Sequence, residues 1–323
     1  MPLPGLLWQW PELIEDDPRV GQVLDGFASV QSSIVSRVDL PAHVRTCQIL
    51  VPRLEHEIDV ALLDAAPCLR MIGTPSTGTD HIAVAEAQRR GIRVVSIKDE
   101  REFLDSVQST AELAWLLVLA CNRNLRTCFK QIEAGGWHAQ SVRGHELIDR
   151  TLGIIGYGRL GRMVSRFAHA FRMPVIASDP QPITDDWVRQ MPQEQLLGAA
   201  DIVTLHVHLD DRTRGMFGAM QLAKMKRGAF LVNTSRGGLI DEDALVAALE
   251  SGHLGGAGLD VICGEREEDR TRRPLFRYAM THDNVILTPH IGGCTVESQQ
   301  KVVLHFARKL RDAWQKSEPI ERE

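Results

Sequence analysis

The chain has 323 residues, 44% hydrophobic and 24% charged, the size and balance of a globular protein with two domains. A net charge of −5 and a pI of about 6.2 argue against nucleic acid and anionic membrane as partners, since both recruit basic faces. The opening MPLPGLLWQWPELIEDD lacks a basic n-region, so no secretory leader is expected. The longest apolar run, LAWLLVLAC, falls far short of the roughly 18 residues of a membrane span. Six scattered cysteines without a CxxC pair suit reduced thiols and a cytoplasmic location.

In chain order, PELIEDDPRVGQVLDGF is ambiguous, and no clear strand precedes it. CQILVPR, RMIGTPSTGTD and IRVVSIK read as strands with helix-like spacers. FLDSVQSTAELAWLLVLACNRNL, free of Gly and Pro, predicts one long buried helix connecting two domains. From residue 151 the pattern is regular. TLGIIGYG, PVIASD, DIVTLHV, AFLVNTS, GAGLDV and NVILTPH read as strands, separated by helical stretches such as DEDALVAALESGH. Apolar strands alternating with helices predict a parallel sheet covered on both faces. A final helix shows Val302, Val303, Phe306, Leu310 and Trp314 on one face.

GIIGYGRLGR places Gly156, Gly158 and Gly161 in GxGxxG spacing between a strand and a helix. The first glycine permits a tight turn, the second lets backbone approach a pyrophosphate, and the third lets helix and strand pack closely. The helix start offers N–H groups and a positive dipole end to phosphate. The next strand ends in Asp179, placed for a ribose hydroxyl, and no basic residue follows in SDPQPITDD. That favours NAD over NADP.

Ligands in an open parallel sheet sit beyond the carboxyl ends of the strands. AFLVNTSRGG ends there on Arg236, GAGLDVICGE on Asp260 and Glu265, and VILTPHIGG on His290. A guanidinium anchors and polarises an oxo acid. The imidazole passes a proton, and the glutamate pairs with it so that it can hold one. With a nicotinamide present, the set describes hydride transfer between a hydroxyl-bearing carbon and the ring.

The stretches STGTDHI, STAELAWLLVLACNRN, GGW, RTLGIIGYGRLGR, ASDP, LHVHL, MKRGAFLVNTSRGGLIDEDALVAAL, SGHLGGAGLDV and NVILTPHIGG, covering roughly 49–310, resemble the D-isomer-specific 2-hydroxyacid dehydrogenase family. The resemblance implies an α/β chain of two doubly wound domains. One is a Rossmann NAD-binding domain (104–289). The other is a discontinuous flavodoxin-like substrate domain (1–103 with 290–323). It puts the catalytic Arg, Glu and His on Arg236, Glu265 and His290, and the acid facing the nicotinamide amide on Asp260. Backbone contacts to NAD would come from Arg159, Leu160, Val207 and Thr234. Thr77 and Gly78 would hold the substrate carboxylate, and Arg53 lies where several members carry a substrate-facing Arg. The implied protein is a homodimer, with the 104–150 segment at the interface, acting on a small 2-oxo or 2-hydroxy acid. An NAD(H)-binding regulatory module of the same fold is the alternative reading.

The chain departs from the family at two positions, with His208 where Pro is usual and Arg172 where Gly is usual. His206 and His208 alternate along an expected strand, and no metal is read there because no carboxylate or cysteine partner is evident. Arg172 suits the dipole at a helix end. The first 45 residues match the family poorly.

Overall fold

The computed structural model describes residues 3–267 and 269–316. The expected end of the substrate domain, 317–323, lies outside the described residues. The chain divides into two compact units, one of residues 1–107 with 295–323 and one of Gln108–Cys294. By these contacts His290 groups with the second unit.

The first unit holds a parallel sheet in the order β2-β1-β3-β4-β5, formed by β1 (Gly5–Trp8), β2 (Ser29–Ser32), β3 (Ile49–Val51), β4 (Met71–Gly73) and β5 (Arg93–Val95). A first strand does exist, contrary to the reading of the sequence, and it is central. GLLW is short and pressed between Pro4 and Pro11, so its signal is weak, but Leu6, Leu7 and Trp8 are fully buried between β2 and β3. The ambiguous segment after it folds as helices Pro11–Asp16 and Pro18–Asp25, the second capped by Asp17. The closing helix, Val296–Gln315, packs so near the sheet that a Cβ on Gly73 would stand 2.6 Å from Phe306 Cζ.

The second unit holds seven parallel strands in the order β12-β11-β10-β9-β6-β7-β8. They are β6 (Leu152–Ile155), β7 (Val175–Ser178), β8 (Val188–Gln190), β9 (Ile202–Leu205), β10 (Ala229–Asn233), β11 (Leu254–Leu259) and β12 (Val285–Leu287). β8, with two exposed residues of three, carries almost no sequence signal. All five residues of β10 are buried, as a central strand covered on both faces requires.

The expected long connector is not one helix. It breaks at Ser106–Gln108 into Arg101–Asp105 and Ser109–Asn122, where the Ser106 hydroxyl donates to the Phe103 carbonyl and competes with the helical ladder. The stretch Arg101–Asn122 is long and apolar enough to cross a membrane by length and composition alone, and within it Ala111, Ala114, Leu117, Val118 and Cys121 are buried in the core of the second unit. Helix Ser109–Asn122 lies on the second sheet, with Leu117 Cβ 3.0 Å from where a Gly258 side chain would begin. His206 and His208 fall beyond the end of β9 rather than within a strand. Arg172 adopts φ +59° just past helix Arg159–Ala170, which is why glycine suits that position.

Candidate active site

The order of β6, β7 and β9 reverses the winding of the second sheet between β6 and β9, and ligands of doubly wound sheets sit at such a reversal. Gly156 leaves β6 with φ +90°. A Cβ there would lie 2.5 Å from the His206 carbonyl oxygen, so only glycine closes this turn. A Cβ on Gly161 would stand 2.3 Å from the Gly156 carbonyl oxygen, whereas one on Gly158 would meet nothing within 4 Å. Helix Arg159–Ala170 starts at Gly158 with no side-chain cap, leaving its positive end for a phosphate.

Asp179 follows β7. Its Oδ2 accepts the Tyr157 N–H at 2.7 Å and its Oδ1 the Gln181 N–H at 2.8 Å, so the carboxylate is fixed at the mouth of the glycine loop with lone pairs left for a hydroxyl. Tyr157, not singled out in the sequence, holds the same corner through its side chain. Its hydroxyl donates to Asp185 Oδ2 at 2.7 Å and lies 2.7 Å from Ser165 Oγ. Burial pushes this phenol up to about 12, so it stays a donor. Across the reversal, Thr234 Oγ1 and His206 Nδ1 are buried without hydrogen-bond partners. Burial brings the His206 imidazole down to about 4 and keeps it neutral. Val207 is partly buried beside Gly156. The open face at Gly158, the uncapped helix and these orphaned polar atoms fit a dinucleotide.

Three loops beyond β10, β11 and β12 carry the expected catalytic residues. Asn233, fully buried, shapes the first, its Oδ1 accepting the Ser235 N–H and its Nδ2 donating to the Arg236 carbonyl. The half-buried Arg236 donates Nη1 to the Ser235 carbonyl at 2.7 Å. A Cβ on Gly237 would stand 2.0 Å from the Ile262 carbonyl carbon, so this loop lies directly against the one leading to Glu265. Glu242 braces that second loop by accepting the Cys263 N–H at 2.6 Å, and burial raises its carboxyl above the usual range.

Glu265 Oε1 and His290 Nδ1 are 2.8 Å apart. His290 sits at φ +55°, a conformation that costs a non-glycine residue energy and needs support from its surroundings. Asp260 gives that support. Its carbonyl accepts the His290 N–H. Its Oδ1 accepts the Thr288 hydroxyl at 2.5 Å and the Ile291 N–H at 2.9 Å, and its Oδ2 the Gly292 N–H at 2.9 Å. Burial raises the Asp260 carboxyl while these donors oppose it. One oxygen of Asp260 thus keeps room for a further donor, although most of its capacity holds the His290 loop.

The other expected residues belong to the first unit. Thr77 and Gly78 follow β4, with the Gly78 N–H donated to Ser76 Oγ at 3.0 Å. Arg53 follows β3, but its guanidinium is already held: Nε reaches Glu55 Oε1 at 2.5 Å, Nη1 reaches Glu12 Oε1 at 2.8 Å, and its Cζ lies 4.7 Å from the centre of the Trp10 ring. Sequence reading missed both glutamates, since neither stands in a motif. Among the described residues no group of three His, Cys, Asp or Glu side chains could hold a metal.

The profile of the D-isomer specific 2-hydroxyacid dehydrogenase NAD binding domain matches residues 115–292. A hydroxypyruvate reductase of Thermotoga maritima is 36% identical, covering 87% of this chain and 89% of its own. A D-3-phosphoglycerate dehydrogenase of Methanocaldococcus jannaschii is 37% identical over 86% of this chain, which spans 52% of that protein. The crystal structure of a D-lactate dehydrogenase from Aquifex aeolicus, complexed with NAD and lactic acid, superimposes with a TM-score of 0.83 at 25% identity, covering 96% of this chain and 95% of that one. A glycine loop built for a dinucleotide, a doubly wound sheet around it, the profile over 115–292 and a relative 36% identical over 89% of its own length agree: the chain belongs to the D-isomer-specific 2-hydroxyacid dehydrogenases and is an NAD-dependent enzyme of that family.

Proposed function

We propose that the protein reduces a small 2-oxo acid to the D-2-hydroxy acid, with Arg236, Glu265 and His290 as its working set. In balance, 2-oxo acid, NADH and a proton give 2-hydroxy acid and NAD. NADH supplies the hydride. The observation that carries the reading is the 2.8 Å pair of His290 Nδ1 and Glu265 Oε1 beyond the sheet edge. Glu265 fixes the ring and leaves Nε2 as the nitrogen that gives a proton to the substrate oxygen. Arg236 holds the acid and draws charge toward the forming alkoxide. Thr77 and Gly78 bind the substrate carboxylate, and Asp260 keeps the His290 loop in place.

The test is NADH oxidation over a panel of 2-oxo acids. His290→Gln and Arg236→Lys are expected to lower kcat/KM by about 10²- to 10⁴-fold, with NADH affinity held within about threefold. Retained turnover in both variants would refute the assignment.

We also propose a homodimer. Helix Leu125–Glu133 has no buried residue yet exposes Phe129 and Ile132, and Trp137 beyond it is 87% exposed, an apolar face suited to a second copy. Sedimentation should give twice the chain mass, and Phe129→Asp should lower it toward the monomer. A wild-type monomer at micromolar concentration would exclude the idea.

A further inference from the structure

Helices Pro18–Asp25 and Val296–Gln315 pack side by side in the first unit. The longer one buries Val303, Phe306 and Leu310. A second face at helical spacing carries Lys301, Arg308, Arg311 and Gln315, and Arg19 and Gln22 stand three apart on the shorter helix. Between them lies a cavity of about 560 Å³ lined by Arg19, Gln22, Arg308, Arg311 and Gln315, and among the described residues no carboxylate lines it. A neighbouring cavity of about 440 Å³ shares Arg19 and Arg308 and adds Lys301 and Glu297. The whole chain has a net charge of −5, so three arginines around one hollow do not reflect its average surface.

The ion pairs beside the arginines orient them without closing them. Asp17 is buried and takes Arg19 by one edge of the guanidinium, Nε on Oδ1 at 2.8 Å and Nη2 on Oδ2 at 2.7 Å. This fork and the Arg19 backbone N–H hold the carboxyl below its usual range, so the pair stays charged at neutral pH. The other edge, Nη1 with the second proton of Nη2, is left over, and the side chain is 64% exposed. Arg311 is held in the same way by Asp312, with Nε and Nη2 on Oδ1 at 2.9 and 2.8 Å. Arg308 has neither an ion pair nor a hydrogen bond among the described residues, and its charge only adds to the field on Asp17. Two oriented forks and a third cation suit an oxyanion with several acceptor oxygens. No exposed large hydrophobic residue lines the hollow, which favours a soluble ligand over a lipid surface.

We propose that the hollow between these two helices, formed wholly within the first unit, binds a phosphate-bearing small molecule. The inference does not depend on the reductase reading.

The experiment titrates inorganic pyrophosphate calorimetrically into the full chain saturated with NADH, which occupies the glycine loop and leaves the first unit to report. One site with a Kd of about 1 mM or tighter is expected. Arg308→Gln/Arg311→Gln should weaken it by about tenfold or more, with NADH affinity and melting temperature in the absence of pyrophosphate unchanged. Arg308→Gln alone, at the arginine without a partner, should give about threefold and keeps the test open if the double variant does not fold. Asp17→Asn keeps the helix cap but loosens the Arg19 fork, so it should weaken pyrophosphate about threefold although it removes a negative charge. Equal or tighter binding in Asp17→Asn would reveal a diffuse positive field instead of an oriented site and overturn the proposal. Unchanged affinity in Arg308→Gln, or no binding of pyrophosphate by the wild type, would overturn it too. Vesicles containing phosphatidic acid form the last arm. A protein that sediments with them and ignores pyrophosphate would place these arginines against a membrane and overturn the soluble-ligand assignment.

Discussion

Replacing Asp260 with asparagine tests whether a buried carboxylate, rather than the sheet alone, holds His290 in its left-handed conformation. The carboxylate takes three side-chain and backbone donors, from Thr288, Ile291 and Gly292. As a charged acceptor it is worth about 1.5–3 kcal/mol per bond, against about 0.5–1.5 for a neutral one. An asparagine oxygen can keep the Thr288 and Ile291 donors at the lower value. Its NH₂ would then face the Gly292 N–H, donor against donor, which costs about 1–3 kcal/mol. Part of this is returned, because burial disfavours the charged form of Asp260 and the amide carries no charge to desolvate. The net loss is about 2 kcal/mol, confined to the 288–292 loop. Amide hydrogen exchange reads it directly, with the Ile291 and Gly292 amides exchanging about 30-fold faster. A displaced imidazole should lower kcat by about 10²-fold. Unchanged protection at both amides would show that the loop does not depend on the carboxylate, and the positioning argument would fail.

Other substitutions probe the cofactor corner and its supports. Gly158→Ala adds a Cβ that meets nothing, so the melting temperature should hold while NADH affinity, read by fluorescence titration, falls by about tenfold or more as the methyl crowds the pyrophosphate. Arg172→Gly should raise stability by about 1 kcal/mol in urea unfolding, because φ +59° burdens a residue with a Cβ; a loss would mean that the arginine's dipole contact outweighs the strain. His206 is neutral in the fold because burial lowers it from 6.5 to about 4. Its unfolded form takes a proton below pH 6.5, so the contribution is complete above that pH and disappears as pH falls toward 4. At pH 5 the deficit relative to pH 7.5 is about 2 kcal/mol, and His206→Gln should be spared most of it. Equal pH dependence of variant and wild type would contradict the burial argument.

What could be read from the sequence follows from which interactions are local. The glycine loop, Asp179 and the strand-terminal Arg236, Glu265 and His290 are legible because glycine spacing and strand ends are local patterns. Each stands next to a buried run that fixes its place, as AFLVN does for Arg236. The supports were not legible. Asp260 meets Ile291 and Gly292, Glu242 meets Cys263, and Tyr157 meets Asp185. Each of these bonds spans 21 residues or more, and no spacing rule announces it. The long helix was misjudged for the opposite reason. Its composition was helical throughout, and the interruption comes from one serine hydroxyl and the break at Ser106–Gln108.

The least legible region is the start of the first unit. The NAD-binding profile covers 115–292, and relatives named for hydroxypyruvate, phosphoglycerate and lactate share its architecture. A feature common to proteins named for different acids cannot by itself select among those acids. Outside the matched span, β1 delivers Gln9, Trp10 and Glu12 to the reversal of the first sheet, where Gln9 accepts the Arg53 N–H and Glu12 pairs with its guanidinium. Arginine alone at that position would favour a second anion. Arg53 here already faces Glu12 and Glu55, so its charge is met within the first unit by two residues that no motif announces.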